Sequence, residues 1–389
     1  MQVIIMAAGS GTRLMPMTKN KPKAMVDIAG RPLLEHTLHE ISKLTPKVTK
    51  IILVTGYKED TIKEYFKDYY HKIPIQYVTQ KERKGTGHAV MVTEEHVLKA
   101  AKTDDQFLVI NGDDLYSHKD LQKLTDHNNC ILLQELEDVS AFGVVTVNKE
   151  GKVTGFVEKP EGEAESKLVN VGAYSFKAEL FEILKKLKPS KRGEIELTDA
   201  VAKLARLEKM HHAKVGAYWK PVGYPWHILT ATQKILEHNS ELIHKGSVNA
   251  GAIVETEVSM DTGSVIKKGA RVTGLVTIGK NVTIEENATI VGPTTIANNC
   301  TIQNNSIIEA SVVGNHTTIG KNCRIHHSVI GEKVNIKDKI TTNYNSPEKT
   351  IRMKIKGQVI DTKLNQLGSV VADGVTVKQN LLPGQVLEK

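Results

Sequence analysis

Near the amino terminus the run Ala7-Ala8-Gly9-Ser10-Gly11-Thr12-Arg13-Leu14 follows directly on an apolar stretch. Glycines after a strand let backbone N–H groups approach an anion without a Cβ in the way. The run is neither of the two commonest glycine loops. A P-loop needs GxxxxGK[ST], and a dinucleotide fingerprint needs a third small residue where Leu14 stands. Arg13 and the following Pro16-x-Thr18-x-x-x-Pro22-Lys23 place two fixed cations beside this anion-shaped turn. Such a pair suits phosphoryl chemistry, because an anion attacking a phosphate is brought in against repulsion that preorganised cations lower.

Further along, Gln80 stands before Gly85-Thr86-Gly87, and Asn111-Gly112-Asp113 closes an apolar run. A Gln amide offers a donor and an acceptor together, as a base edge requires, although in a loop it also serves as plain solvated surface. Asp113 could be just an Asx-turn residue, but the apolar strand Phe107 to Ile110 before it favours a Mg²⁺ ligand. Gly143 in Phe-Gly-Val, Glu158-Lys159-Pro160, Asn170-Val-Gly172 and Glu194-Ile-Glu196-Leu-Thr198-Asp199 come next in order. Singly, each reads as a surface charge or a turn.

The elements that must hold these residues come in two kinds. Up to about residue 235, short apolar runs alternate with stretches of helical period, the pattern of parallel βαβ units. Residues 1–7, 51–55, 107–111 and 142–147 read as strands, and 32–44 and 178–187 as helices. This predicts an α/β domain with a doubly wound, mostly parallel sheet, whose ligand crevice lies at the carboxyl ends of the strands. A helical linker is expected over 236–247.

Beyond Gly246, aliphatic residues recur every six positions from Val248 through Val254, Met260 and Ile266 to Ile302 and Ile308, with a small or β-branched residue four places after each. No helix has that period. It predicts a parallel β-helix over 248–340, in which each flat face uses six residues and stacked coils share one core. The rhythm slips at Val313 and Ile330, read as corner insertions. Residues 341–389 are less regular; 350–356 alternates as a strand with one solvated face, Leu381-Leu382-Pro383-Gly384 reads as a turn, and the segment is expected to cap the domain.

The amino-terminal motifs resemble the sugar nucleotidylyltransferases, whose signature AAGxGTRL followed by PxT and PK is matched residue for residue. The resemblance implies a nucleotide-diphospho-sugar transferase fold followed by a left-handed β-helix. It also implies Mg²⁺-dependent transfer of a nucleotidyl group from UTP or dTTP to a hexose 1-phosphate, glucose or N-acetylglucosamine 1-phosphate, with release of pyrophosphate. Met6, Ala7, Ala8, Gly9, Gly11 and Thr12, with Gln80, Gly85, Thr86, Asn111 and Gly112, would hold the nucleotide. Arg13, Lys23 and Asp113 would be catalytic, Asp113 as the metal ligand. Gly143, Glu158, Lys159, Asn170, Glu194 and Glu196 would bind the sugar phosphate.

The full-length pattern resembles the bifunctional enzymes that also acetylate glucosamine 1-phosphate, yet the positions of that family's acetyl-transfer His and Tyr hold Lys321 and Arg324 here. His316, His326 and His327 lie near. A second metal carboxylate of the family is replaced by Pro221, with Asp114 or His227 as candidate helpers. Assembly as a trimer, or a multiple of it, through the coil is implied, and a non-catalytic regulatory subunit of the same architecture is the alternative from another class.

The bulk numbers fit. The net charge of +8 comes from 52 basic residues interspersed with 44 acidic ones, so small phosphate ligands are expected rather than nucleic acid or membrane. Cys130, Cys300 and Cys323 show neither disulfide nor zinc spacing; with no signal peptide or span, a cytoplasmic location is expected.

Overall fold

The computed structural model describes residues 1–99, 106–160, 162–238, 242–346 and 349–388. Contacts divide the chain into two compact units. The first holds Met1–Ser10, Pro22–Met25 and Leu33–Lys220; the second holds Gly11–Lys21, Val26–Pro32 and Pro221–Lys389.

The first unit is built on a ten-stranded sheet. Its principal strands are β1 (Gln2–Met6), β2 (Lys50–Thr55), β3 (Ile73–Thr79), β4 (Phe107–Asn111), β5 (Cys130–Glu135), β6 (Gly143–Val147), β7 (Val153–Glu158), β8 (Leu168–Phe176) and β9 (His211–Lys214). The centre runs β4-β1-β2-β3, all parallel. β8 lies antiparallel to β4 and carries the antiparallel pair β6-β7 beyond it, while β5 pairs with both β8 and β9. In β1, Val3 and Ile5 face one layer and Ile4 the other, and all three are fully buried. Such two-sided burial is why the central strands read as continuous apolar runs. Helix α1 (Leu33–Ser42) covers one face through Leu34, Leu38 and Ile41, and α2 (Leu197–Arg206) covers the other through Ala200, Val201 and Leu204. Each such Leu, Ile or Val side chain contributes about 1.5–3 kcal/mol of transfer free energy. The predicted strands and both predicted helices are present, with no end moved by more than two residues.

In the second unit the six-residue rhythm becomes three parallel sheets of seven, five and seven short strands, one per side of the coil. Ile266 pairs with Ile284 and Ile284 with Ile302, a rise of one coil each. These residues, with Ile278, Ile290, Ile296 and Ile308, fill the interior, and Ala270, Ala288, Cys300 and Ser306 fit the narrow places beside them.

The slips at Val313 and Ile330 are corner shortenings, not insertions. Glu309 pairs with Val291 and with His326 in one sheet, whereas Thr295 pairs with Val312 in the next. The later corners therefore turn in one residue fewer. Ala310 and His327 make that tighter turn at φ 45° and 46°, in the left-handed region.

The expected linker at 236–247 falls partly outside the described residues: α3 (His227–His238) supplies its start, and residues 239–241 are not described. Beyond 340 the coil continues. Val370–Val371, Thr376–Val377 and Val386–Leu387 extend two of its sheets, and Arg352–Ile355 pairs with Gln358–Asp361 as a hairpin. Within this unit α3 packs on Asp27–Ile28 and on the coil strands Thr294–Ile296 and Val312–Val313. Among the described residues no helix is long and apolar enough to cross a membrane.

Candidate active site

At the carboxyl edge of the sheet, β1 and β4 end side by side, with Met6 opposite Asn111. The Gly112 amide donates to the Met6 carbonyl at 3.0 Å, and the Ala7 amide to Val54 at 2.8 Å. A Cβ at Gly112 would stand 3.0 Å from that same Met6 oxygen, so a larger residue would press the two chain ends apart by a few tenths of an ångström. Ala8 packs against Gly56, while a side chain at Gly9 would meet open space.

Just past β4, Lys23 Nζ donates to Asp113 Oδ2 at 2.6 Å. The Lys23 side chain is 12% exposed and that of Asp113 39%, so the carboxylate faces solvent while its partner is packed away. One accessible carboxylate fits a hard divalent cation, which Asp113 would hold. Asp114 is committed elsewhere: it is buried and accepts from the Trp219 indole at 3.3 Å. Arg83, a cation the motif reading missed, donates from Nη1 to Ser10 Oγ at 3.0 Å.

Gln80 is buried, and its Nε2 donates to the Gly85 carbonyl and meets His88 Nδ1, both at 3.1 Å. Gly85 has φ 96°, and a Cβ there would lie 2.5 Å from the Ile195 oxygen. Thr86 opens a short helix and its hydroxyl accepts from the Leu197 amide at 3.0 Å. The Gly87 amide donates to Ile195, and the Ile195 amide to Lys84, each at 2.8 Å. The segment that carries Gly85 and Thr86 is thus stitched to the segment that carries Glu194 and Glu196, which their spacing in the sequence does not reveal.

Glu158 at the end of β7 tucks its carboxylate against Gly143, whose ideal Cβ would stand 3.0 Å from Oε2. Burial of that carboxyl outweighs the opposing charges of Lys159 and Arg192 and, with Glu196 and Asp199 adding to it, holds the carboxyl above the usual carboxylate range. Asp199, also raised by burial and then by Glu196, joins this acidic group, although the sequence motif that contains it gave it no role. Glu196 is bound by Arg192 at 2.7 Å. Lys159 sits at φ 46° with its amide on the Phe142 carbonyl. Asn170 is turned into its own strand, donating to the Tyr174 hydroxyl at 2.7 Å and accepting from the Gly172 amide at 2.9 Å. Glu194 accepts through its carbonyl from Ser190.

In the second unit, Gly11 at φ 65° starts a 3-10 turn over Thr12–Leu14, and Thr18 Oγ1 donates to the Gly11 carbonyl at 2.8 Å. The Arg13 guanidinium lies 5.7 Å from the Tyr224 ring centre, and Tyr224 stacks on Trp226. His227 Nδ1 accepts from the Gly223 amide at 3.1 Å. On the coil, Lys321 and Arg324 are exposed, His326 Nδ1 meets Glu309 Oε2 at 2.9 Å, and His327 stacks on Tyr344. Burial lowers the His327 pKa, with Glu309 opposing.

The nucleotidyl transferase family model matches residues 2–238. The chain belongs to the nucleotidyl transferase family. A second model, the GMPPB C-terminal domain, matches residues 244–360. The "Bifunctional protein GlmU" of Methanocaldococcus jannaschii is 34% identical over 388 residues, covering 99% of this chain and 91% of that protein. The "UTP--glucose-1-phosphate uridylyltransferase AglF" of Haloferax volcanii is 33% identical over 249 residues, 62% of this chain and 99% of its own. A solved UDP-glucose pyrophosphorylase, complexed with UDP-glucose, superposes with a TM-score of 0.54 at 27% identity, covering 61% of this chain and 99% of that one. As a nucleotidyl transferase of this kind, the chain is a sugar-1-phosphate nucleotidylyltransferase.

Proposed function

We propose that this nucleotidyl transferase condenses UTP or dTTP with glucose 1-phosphate or N-acetylglucosamine 1-phosphate, releasing pyrophosphate. The observation that carries the reading is the Lys23–Asp113 pair at the end of β4, directly after the Met6–Asn111 neighbours. A largely covered cation beside a more accessible carboxylate is the arrangement that in-line attack by one phosphate on another asks for. Backbone groups from Met6 to Thr12 hold the triphosphate, and Gln80, Gly85 and Thr86 read the base, with Asn111 and Gly112 flooring the crevice. Arg13 and Lys23 offset the negative charge of the two substrates. Gly143, Glu158, Lys159, Asn170, Glu194 and Glu196 orient the sugar phosphate. Asp113 would hold Mg²⁺, which when bound would supply charge neutralisation for the leaving pyrophosphate.

The relatives' names support uridylyl transfer, and the AglF match supports glucose 1-phosphate as an acceptor. Work in the cytoplasm fits the unpaired cysteines. We assign the coil to assembly, as a trimer or a multiple of it. A second activity, acetylation of glucosamine 1-phosphate, is favoured by the bifunctional names of relatives matched over 99% of this chain and disfavoured by Lys321 and Arg324.

The test is a substrate screen with product mass spectrometry. Pyrophosphate and a nucleotide sugar are expected only when Mg²⁺, a pyrimidine triphosphate and a hexose 1-phosphate are all present. Nucleotide binding without product across the whole panel would reject catalysis in favour of a regulatory subunit. Thiol release from acetyl-CoA with glucosamine 1-phosphate would add the second activity.

A further inference from the structure

The signature run Pro16-x-Thr18-x-x-Lys21-Pro22-Lys23 contains, besides Lys23, a cation at Lys21 that the proposed chemistry does not use. Lys21 does not point into open solvent. Its ammonium donates to Glu332 on the β-helix, with side-chain exposures of 17% for Lys21 and 30% for Glu332. The Glu332 amide donates to Asp373 Oδ1 at 2.9 Å, which brings a second carboxylate to the same place. A third, Asp27, accepts from the Gly30 amide at 2.8 Å. Burial works against the charge on Lys21, but Glu332, then Asp373 and Asp27, outweigh it, and the pKa lies above the ordinary lysine value. Met17, Val26, Ile228, Val312 and Val329 surround the group, leaving a cavity of only about 20 Å³.

An isolated pair of surface charges would be worth little, and an apolar filling of the same volume would be as stable as a buried ion pair. What such a group does provide is a unique register, since a half-buried lysine with three carboxylates around it has one place to go. The segment it fixes is stiff. Within Gly11–Lys21, Leu14 donates to Gly11, Met17 to Leu14 and Lys19 to Pro16, and the Thr18 hydroxyl closes back on Gly11. Holding its end therefore holds Arg13 at its start, and Lys23 follows two residues on.

We propose that Lys21 is a positioning residue for nucleotidyl transfer, seated in an acidic socket of Glu332, Asp373 and Asp27, and that the β-helix thereby sets the placement of the signature turn. The inference rests on the proposed transferase reading. It gives the coil a part in the reaction separate from assembly and from acetyl transfer. Misplacement of a catalytic group by about 1 Å costs on the order of 100-fold in rate.

The experiment compares the full chain with Glu332→Gln, Lys21→Met and Lys21→Arg, reading kcat and KM for pyrophosphate release well below each variant's melting temperature. A fall in kcat of roughly 10- to 100-fold is expected for Lys21→Met and Glu332→Gln, with KM for both substrates changed much less, and substantial recovery in Lys21→Arg. Hydrogen exchange of the Gly11–Lys21 amides is read in parallel and should quicken in Glu332→Gln, a substitution 311 residues away from Lys21. Wild-type kcat in Glu332→Gln with unchanged exchange overturns the inference even if the melting temperature drops. An inactive wild-type chain overturns the transferase reading instead, and the exchange measurement still decides whether the socket holds the turn.

Discussion

Lys23 and Asp113 form an ion pair across 2.6 Å in which the cation is the buried member. That asymmetry separates their contributions. Asp113→Asn removes the carboxylate from an exposed position and is expected to lower pyrophosphate release by roughly 100-fold or more, with little change in melting temperature. Lys23→Ala should lose activity on the same scale and also leave Asp113 without its cation. Steady-state assays with circular dichroism on the same samples check both; full rate in either variant rejects the assigned role.

Gly85 tests the base side. With φ 96° and the Ile195 oxygen 2.5 Å from an ideal Cβ, Gly85→Ala is both strained and crowded. A loss of about 1–3 kcal/mol is expected in denaturant unfolding, together with a raised KM for the triphosphate. An unchanged KM would remove Gly85 from the nucleotide site.

Glu158 predicts a pH dependence. Its pKa is raised in the folded chain, chiefly by burial of the carboxyl. Folding therefore favours the protonated form: that contribution to stability is complete below the ordinary glutamate value near ~4.3 and is lost as pH rises through the raised one. If the ionised carboxylate accepts sugar hydroxyls, KM for the sugar phosphate should climb as pH falls through the raised value. Glu158→Gln is expected to show the weaker KM throughout without that acidic limb, and persistence of the limb in the variant would assign it to another group.

The cysteines should be silent. Burial pushes the Cys130 thiol up to about 12 and Cys300 to about 11, and raises Cys323 as well. Since only the thiolate reacts readily, a thiol reagent at pH 8 should label none of the three within minutes in the native chain and all three in denaturant. Rapid native labelling of any one would contradict the packing described.

What the sequence discloses follows from local physics. A strand buried on both faces must be a continuous apolar run, and β4 is legible to the residue as Phe107–Asn111. A coil with a dry interior must repeat its large residues, so Ile266, Ile284 and Ile302 announce one another. The corner shortening at Ala310 shows in the sequence as a step of five from Ile308 to Val313 where six is the rule, so reading that slip as an insertion takes its sign the wrong way. Partners far apart in the chain leave no periodic trace: Arg83 on Ser10, Thr86 on Leu197 and Lys21 on Glu332 are set by tertiary closure alone. Asn170 shows the converse, a motif residue whose amide is occupied by Tyr174 and Gly172.

The stitches between Lys84, Thr86 and Gly87 on one strip of backbone and Ile195 and Leu197 on another have a kinetic consequence. A ligand that presses the first strip must drag the second along, as a zip fastener draws both edges of a seam. Arrival of the two reactants is therefore expected to be ordered, with the earlier guest shaping the berth of the later one.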